Sequence, residues 1–238
     1  MKKGQLIFAL DTDDDRKIKK LLKLLTPILL WVKTGFQAFS VLGPNCFGDL
    51  KKNGYNVFLD LKFHDIPNTV ARDVGTMTKR GAHMINMHAS GGFEMMRAAR
   101  ESAEHSAEEQ GISRPTLLGV TILTSMDELC FQQHSGSQRQ LTDQVVYLAK
   151  QAQAAGLDGV CASPLEIEVI RKACGDDFLI VTPGIRPEWT LQGDQRRFTT
   201  PAEAIDRGAD YIVVGRPILE ATDPVKAVKK ILAEIDTV

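Results

Sequence analysis

The chain has 238 residues, of which 43% are hydrophobic and 25% are charged, the ordinary composition of a globular protein with one large domain or two small ones. Its 29 Lys and Arg side chains nearly balance its 30 Asp and Glu side chains, so the net charge of -1 gives no indication of binding to nucleic acid or to an anionic membrane. The four cysteines lack zinc-type spacing, and no apolar run reaches the roughly 18 residues that a membrane span requires. We therefore expect a cytoplasmic protein with reduced cysteines, no membrane segment and no metal site.

Short apolar runs recur along the whole chain, and each predicts a β-strand: residues 6–10, 28–32, 57–61, 83–87, 117–123, 158–162, 178–182 and 211–215. Apolar residues at every third or fourth position predict helices between them, as at 16–25, 142–156 and 224–235. Glycines such as Gly54 and Gly81 follow helical segments, which is typical of helix ends. The pattern predicts one (β/α)8 barrel over residues 1–238, with an open α/β sheet as the alternative.

Charged residues follow the first three predicted strands, at the end of a barrel where active sites form. Asp11 ends the first strand, Lys33 the second, and Asp60 and Lys62 lie in the third, with Asp65 just beyond it. Asp60 and Lys62 are two positions apart, so both side chains are expected to leave the same face of the strand and point into the barrel mouth. The pattern predicts a charged active site there, and a salt-bridge network with only a packing role is the alternative.

The loop after the seventh strand, residues 183–198, is long and carries Arg186 and Gln195. Gly215 and Arg216 end the eighth strand. Barrels commonly bind phosphate at this place through backbone N–H groups and guanidinium groups. These residues predict a phosphate site, and a solvated basic loop is the alternative.

The segment DLKFHDIPNTV (60–70) is similar to the D-x-K-x-x-D signature of the orotidine 5'-monophosphate decarboxylase family. The resemblance continues in order along the chain, through FALD (8–11), VKTG (32–35), NMHASGG (86–92), LGVTILTS (118–125), VTPGIRP (181–187), GDQRR (193–197) and VVGRPI (213–218). Sugar-phosphate lyases related to hexulose-phosphate synthase share the first signature and use Mg²⁺, but VTPGIRP and GDQRR argue against that alternative. A non-catalytic phosphate-binding barrel is a third possibility, which would be expected to have lost Lys62 or one of the aspartates.

The resemblance implies decarboxylation of orotidine 5'-monophosphate to UMP, the last step of de novo UMP biosynthesis, without a metal or an organic cofactor. It implies that Lys62 gives a proton to C6 and that Asp60, Lys33 and Asp65 complete the catalytic array. It further implies that the substrate is bound by Asp11, Lys33, Asp60, Thr69, Thr124, Arg186, Gln195, Gly215 and Arg216. A homodimer is also implied, in which Asp65 is contributed to the partner's site. Pro67 begins a turn or a helix close behind Asp65, so this side chain need not point into its own barrel.

Overall fold

The computed structural model describes residues 4–26, 28–136, 138–190 and 199–237, and within them the strands form a closed barrel in sequence order. The strands are β1 Gln5–Ala9, β2 Trp31–Gly35, β3 Asn56–Phe63, β4 Met84–His88, β5 Thr116–Val120, β6 Gly159–Cys161, β7 Leu179–Thr182 and β8 Tyr211–Val214. Each strand runs parallel to both neighbours, and the pairing of β1 with β8 closes the barrel. The predicted (β/α)8 barrel is therefore confirmed, and the open sheet is excluded.

Helices follow the strands and cover the outside of the barrel. They are α1 Asp15–Leu25, α2 Phe36–Leu42, α3 Cys46–Lys52, α4 Pro67–Arg80, α5 Phe93–Gln110, α6 Glu128–Ser135, α7 Leu141–Ala154, α8 Ile167–Cys174, α9 Pro201–Asp206, α10 Arg216–Leu219 and α11 Pro224–Ile235. Asp14 begins α1, since its carboxylate accepts hydrogen bonds from the backbone N–H groups of Arg16 and Lys17. Gly81 ends α4 with a φ of 88°, a backbone conformation that other residues rarely adopt. No helix of the described ranges is long and apolar enough to cross a membrane.

The largest differences from the predicted strand bounds are in the second and fifth strands. The second strand begins at Trp31 rather than at residue 28, because the N–H groups of Ile28 and Leu29 both donate to the Leu25 carbonyl and prolong the end of α1. Leu29 is buried, so the apolar run at this point packs a helix end rather than extending a strand. The fifth strand ends at Val120, and the next residues enter the loop. A continuous apolar run does not mark the point at which one element gives way to the next.

The core has two parts. The larger part lies between the strands and the helices, where outward-facing strand residues such as Leu59 and Ile85 meet buried helix residues such as Val70 and Val74. The smaller part fills the interior of the barrel and includes Trp31, Phe58, Met84, Leu118 and Val213. The barrel interior is thus a packed apolar layer rather than a channel.

The polar end of the barrel follows directly from this inner layer. Side chains two positions apart on a strand share a face, so residues just beyond the apolar layer also point inward. On three neighbouring strands these residues are polar. Lys33 lies two positions after Trp31, Asp60 two after Phe58, and Asn86 two after Met84. The fold therefore delivers a lysine, an aspartate and an asparagine to the mouth of the barrel.

Candidate active site

Four charged side chains form a chain of alternating sign at the barrel mouth, which we call the charged array: Asp11, Lys33, Asp60 and Lys62. Lys33 Nζ lies 2.8 Å from Asp11 Oδ1 and 3.0 Å from Asp60 Oδ2. Lys62 Nζ lies 2.7 Å from the other Asp60 oxygen, Oδ1. The structure thus brings together four of the residues that the sequence analysis selected.

Gly35, two positions after Lys33 in β2, leaves room for the charged array. A Cβ atom at Gly35 would lie 3.1 Å from Asp11 Oδ1 and 3.2 Å from Lys33 Nζ. Both distances are tighter than ordinary contacts of a methyl group, so a side chain at this position would require Asp11 and Lys33 to shift.

Opposite charges keep the buried members of the array ionised. Burial opposes the charged form of Asp60, but Lys33 and Lys62, with hydrogen bonds from Lys62 and Asn86, outweigh it and lower the pKa of Asp60 to about 2. Burial would likewise lower the pKa of Lys33, yet Asp60 and Asp11 together raise it above its ordinary value. At neutral pH Asp60 therefore carries a full negative charge and Lys33 a full positive charge.

Lys62 has an unusual backbone. Its φ of 50° is the only positive φ of a non-glycine residue in the described part of the chain. Such a conformation costs about 1–3 kcal/mol and persists only where the surroundings impose it. It accompanies an irregularity of the β3–β4 pairing between Leu59 and Phe63, whereas the sequence analysis expected a regular strand through Lys62. Lys62 does reach Asp60, but through a bulge rather than by simple alternation.

Asn86 is a site residue that the sequence analysis missed. It is 1% exposed, its Nδ2 lies 2.7 Å from Asp60 Oδ1, and its Oδ1 accepts a 2.9 Å hydrogen bond from the Lys62 N–H. The one signal in the sequence is a polar residue between apolar ones in the strand, flanked by Ile85 and Met87. An amide at such a position is usually hydrogen-bonded to something buried, which is what the structure shows.

Asp65 lies outside the charged array. It is exposed, its Oδ1 accepts a 2.6 Å hydrogen bond from the Ile66 N–H, and among the described residues it forms no ion pair. Pro67 then begins α4, with Thr69 half-buried in its first turn. Asp65 is therefore at the rim of the mouth but does not reach Lys33 or Lys62 of its own chain.

The predicted phosphate residues follow β7 and β8, and β8 pairs with β1 beside the charged array. Gly215 immediately precedes α10, which begins at the exposed Arg216. The Arg186 N–H donates to the Thr199 carbonyl at 3.1 Å, which joins the two ends of the loop after β7. Gln195 lies outside the described residues. Gly215 is close to the array, because a Cβ atom on it would be 3.9 Å from Asp11 Oδ2.

Three further polar side chains border the mouth. Thr124 is exposed in the loop after β5. His64 and His88 lie with their ring centroids 5.2 Å apart, and burial, reinforced by the nearby His64 and Lys62, lowers the pKa of His88. Within the described ranges no group of three or more His, Cys, Asp and Glu side chains is placed to hold a metal ion.

Comparisons with known proteins agree along nearly the whole chain. Residues 4–231 match the model of the "Orotidine 5'-phosphate decarboxylase / HUMPS family". The orotidine 5'-phosphate decarboxylase of Moorella thermoacetica is 45% identical over 236 residues, which cover 99% of this chain and 94% of that protein. The enzyme of the same name from Actinobacillus pleuropneumoniae serotype 5b is 47% identical over 232 residues, 98% of this chain and 99% of the relative. A crystal structure of orotidine 5'-phosphate decarboxylase from Lactobacillus acidophilus superposes with a TM-score of 0.86 at 38% identity, covering 98% of this chain and 99% of that one.

Proposed function

The chain belongs to the orotidine 5'-phosphate decarboxylase / HUMPS family, and on this premise we propose that it converts orotidine 5'-monophosphate to UMP and CO₂, the last step of de novo UMP biosynthesis. The observation that carries the proposal is the charged array, in which Lys62 Nζ stands 2.7 Å from Asp60 at the open end of the barrel. The reaction as proposed uses no metal and no organic cofactor.

The chemistry requires fixed charge and a proton donor. When the bond between C6 and the carboxylate breaks, its electron pair stays on C6, where the ring offers no easy position for delocalisation. Groups that are already charged and held in place stabilise such a carbanion without reorganising during the reaction. The Lys62 ammonium then transfers a proton to C6, and the neutral amine regains a proton from water.

Asp60 and Lys33 act on either side of this step. Asp60, which is ionised and buried, would stand beside the substrate carboxylate and disfavour it relative to the neutral CO₂ that leaves. Lys33 bridges Asp11 and Asp60 and so fixes both carboxylates. The array is arranged before substrate arrives, which is the condition for electrostatic catalysis.

The remaining residues of the rim are each assigned to one part of the substrate. In this proposal Asp11, Lys33 and Thr69 bind the ribose hydroxyls, and Thr124 faces the pyrimidine. Phosphate is bound by Gln195, by Arg216 and by the backbone N–H of Gly215, while Arg186 supports the loop that carries Gln195. Support for the phosphate site comes from its position, since the loops after β7 and β8 commonly bind phosphate in barrels.

We also propose that the working unit is a cytoplasmic homodimer in which Asp65 serves the partner's site. The exposed position of Asp65, away from the charged array of its own barrel, supports this assignment. In a twofold dimer each chain would give the same residue to the other.

The direct test is to mix the purified protein with orotidine 5'-monophosphate in EDTA and to follow the loss of the orotidine absorbance, with UMP identified as the product. Turnover that EDTA leaves unchanged is expected. A requirement for Mg²⁺, together with turnover of a hexulose phosphate, would favour the lyase alternative instead. Binding of UMP without turnover would favour the non-catalytic barrel.

A further inference from the structure

The carboxamide of Asn86 contacts two members of the charged array at once. Its Oδ1 accepts from the Lys62 N–H at 2.9 Å, and its Nδ2 donates to Asp60 Oδ1 at 2.7 Å. The side chain lies inside the barrel, at 1% exposure, and Cys161 Sγ lies 4.0 Å from the same Nδ2. Asn86 is therefore shielded from solvent, and both ends of its amide are engaged by the array.

The first contact bears on the strained backbone of Lys62. Leu59 pairs with Ile85, and Phe63 pairs with Met87. Between these two pairs β3 has three residues and β4 has only one. The extra residues cannot all pair with β4, and the Lys62 N–H donates to a side chain instead of to a strand carbonyl. Asn86 Oδ1 thereby satisfies the donor that the bulge leaves free and holds Lys62 at its φ of 50°.

The second contact bears on the orientation of the Asp60 carboxylate. Asp60 Oδ1 accepts from both Asn86 Nδ2 and Lys62 Nζ, each at 2.7 Å, while Oδ2 faces Lys33 Nζ at 3.0 Å. Both lysines are on flexible stems, but the asparagine is short, buried and held at both ends. Asn86 is thus the rigid donor that fixes the plane of the carboxylate to which Lys62 is paired.

We propose that Asn86 is a positioning residue for catalysis, which holds the Lys62 backbone and the Asp60 carboxylate in register so that the Lys62 ammonium is aimed at C6. The proposal rests on the proposed decarboxylation. Asn86 acts through Lys62 and Asp60 without touching the substrate. It should therefore influence the rate of the chemical step far more than the binding of nucleotide.

Asn86→Ala and Asn86→Asp test the two contacts. The alanine removes both, whereas the aspartate keeps the shape and an acceptor for the Lys62 N–H but replaces the donor to Asp60 by a like charge. Asn53→Ala is the matched control: the Asn53 Nδ2 donates to the Asp49 carbonyl at 2.7 Å, after α3 and at the other end of the barrel. Titration with UMP counts the folded sites and gives their affinity, and single-turnover decarboxylation is then expressed per UMP-binding site.

For both Asn86 variants we expect the single-turnover rate per site to fall by at least roughly 100-fold, the size typical of a misplaced catalytic group, while UMP affinity changes less than about threefold. The Asn53→Ala rate should equal that of the wild type. A wild-type rate per UMP-binding site in Asn86→Ala would show that Asn86 serves packing alone and would overturn the proposal. Loss of all UMP-binding sites in both variants would likewise assign Asn86 to folding. Wild-type protein without decarboxylase activity would overturn the proposed function instead, so the two failures are distinguishable.

Discussion

The two halves of the barrel rim shift the pKa of a buried carboxylate in opposite directions. In β3, Asp60 is 9% exposed and contacts two lysines, and its pKa falls to about 2. After β6, Glu166 is 7% exposed and has no lysine or arginine beside it in the described ranges, and burial raises its pKa to about 7. Glu166 accepts a hydrogen bond from the Ser163 N–H at 3.1 Å and caps a short 3₁₀ turn.

Burial is nearly the same for the two groups, so the neighbouring charges decide the direction of the shift. In the first half of the rim, the two lysines keep the buried Asp60 carboxylate ionised. In the second half, the same degree of burial gives an acid that is half protonated near neutral pH and serves local structure. A shifted carboxylate pKa therefore indicates a reactive site only where charged partners that could take part in a reaction lie beside it.

Removing Lys62 disrupts the charged array in the first half of the rim and should have the largest effect on activity. Lys62→Ala is expected to lower decarboxylation by at least roughly 10³-fold, because both the proposed proton donor and a central positive charge are lost. Fold and UMP affinity should hold, because Asp60 still contacts Lys33 and Asn86. Steady-state rates and UMP titration measure both. Lys79→Ala is the control, since Lys79 pairs with Glu109 on the outer helices, and activity of Lys62→Ala within tenfold of the wild type would contradict the assignment.

Mixing two inactive proteins tests whether the charged half is completed by a second chain. In the proposed homodimer, the Lys62→Ala and Asp65→Ala proteins should each be nearly inactive when tested alone. If subunits exchange, the mixed dimer has one site with both changes and one with neither, so activity should recover to about a quarter of the wild type for random exchange and independent sites. Proven exchange without any recovery would show that Asp65 serves its own barrel.

A change in the second half of the rim should affect turnover only of a substrate that carries the phosphate. Arg216→Ala is expected to lower kcat/KM for the nucleotide by about 10- to 100-fold, since the proposed guanidinium–phosphate contact would supply binding energy that also orders the site. Turnover of the nucleoside orotidine, which has no phosphate, should change little. Arg80→Ala, at the end of α4 away from the mouth, provides the control. Equal losses for nucleotide and nucleoside would mean that Arg216 does not bind phosphate.

Glu166→Gln tests the comparison through the pH dependence of stability, and its effect is expected in the free energy of unfolding rather than in activity. The pKa of Glu166 is raised from 4.5 to about 7 in the folded protein, so folding favours the protonated form and wild-type stability falls as pH rises between these values. Glutamine cannot ionise, and the variant should gain about 1–3 kcal/mol over the wild type between pH 4 and pH 8. Denaturant unfolding at the two pH values measures this. Glu168→Gln, at an exposed position of α8, should show no such trend, and a pH-independent difference for Glu166→Gln would contradict the shift.

The fold and the positions of Asp11, Lys33 and Asp60 could be predicted because both follow from regular periodicity: strand and helix alternate, and inward-facing positions recur every second residue. The conformation of Lys62 could not, because a bulge arises from the pairing of two strands and leaves no mark in one of them. Asn86 was missed for a related reason. Its importance depends on which side chains lie across the barrel interior, and its own strand shows only an asparagine between apolar residues before the terminal His88.

The charged array and Asn86 lie in or just after β1 to β4, whereas Arg186 and Gly215 follow the last two strands. The exposed turn at Gly111, where α5 ends, divides the chain between these two groups. A crossover at this point would therefore separate the residues proposed to act at C6 from those proposed to bind phosphate. In a chimaera that joins residues 1–111 to the second half of a relative, the rate of decarboxylation at saturation should follow the first parent and the nucleotide-to-nucleoside preference the second.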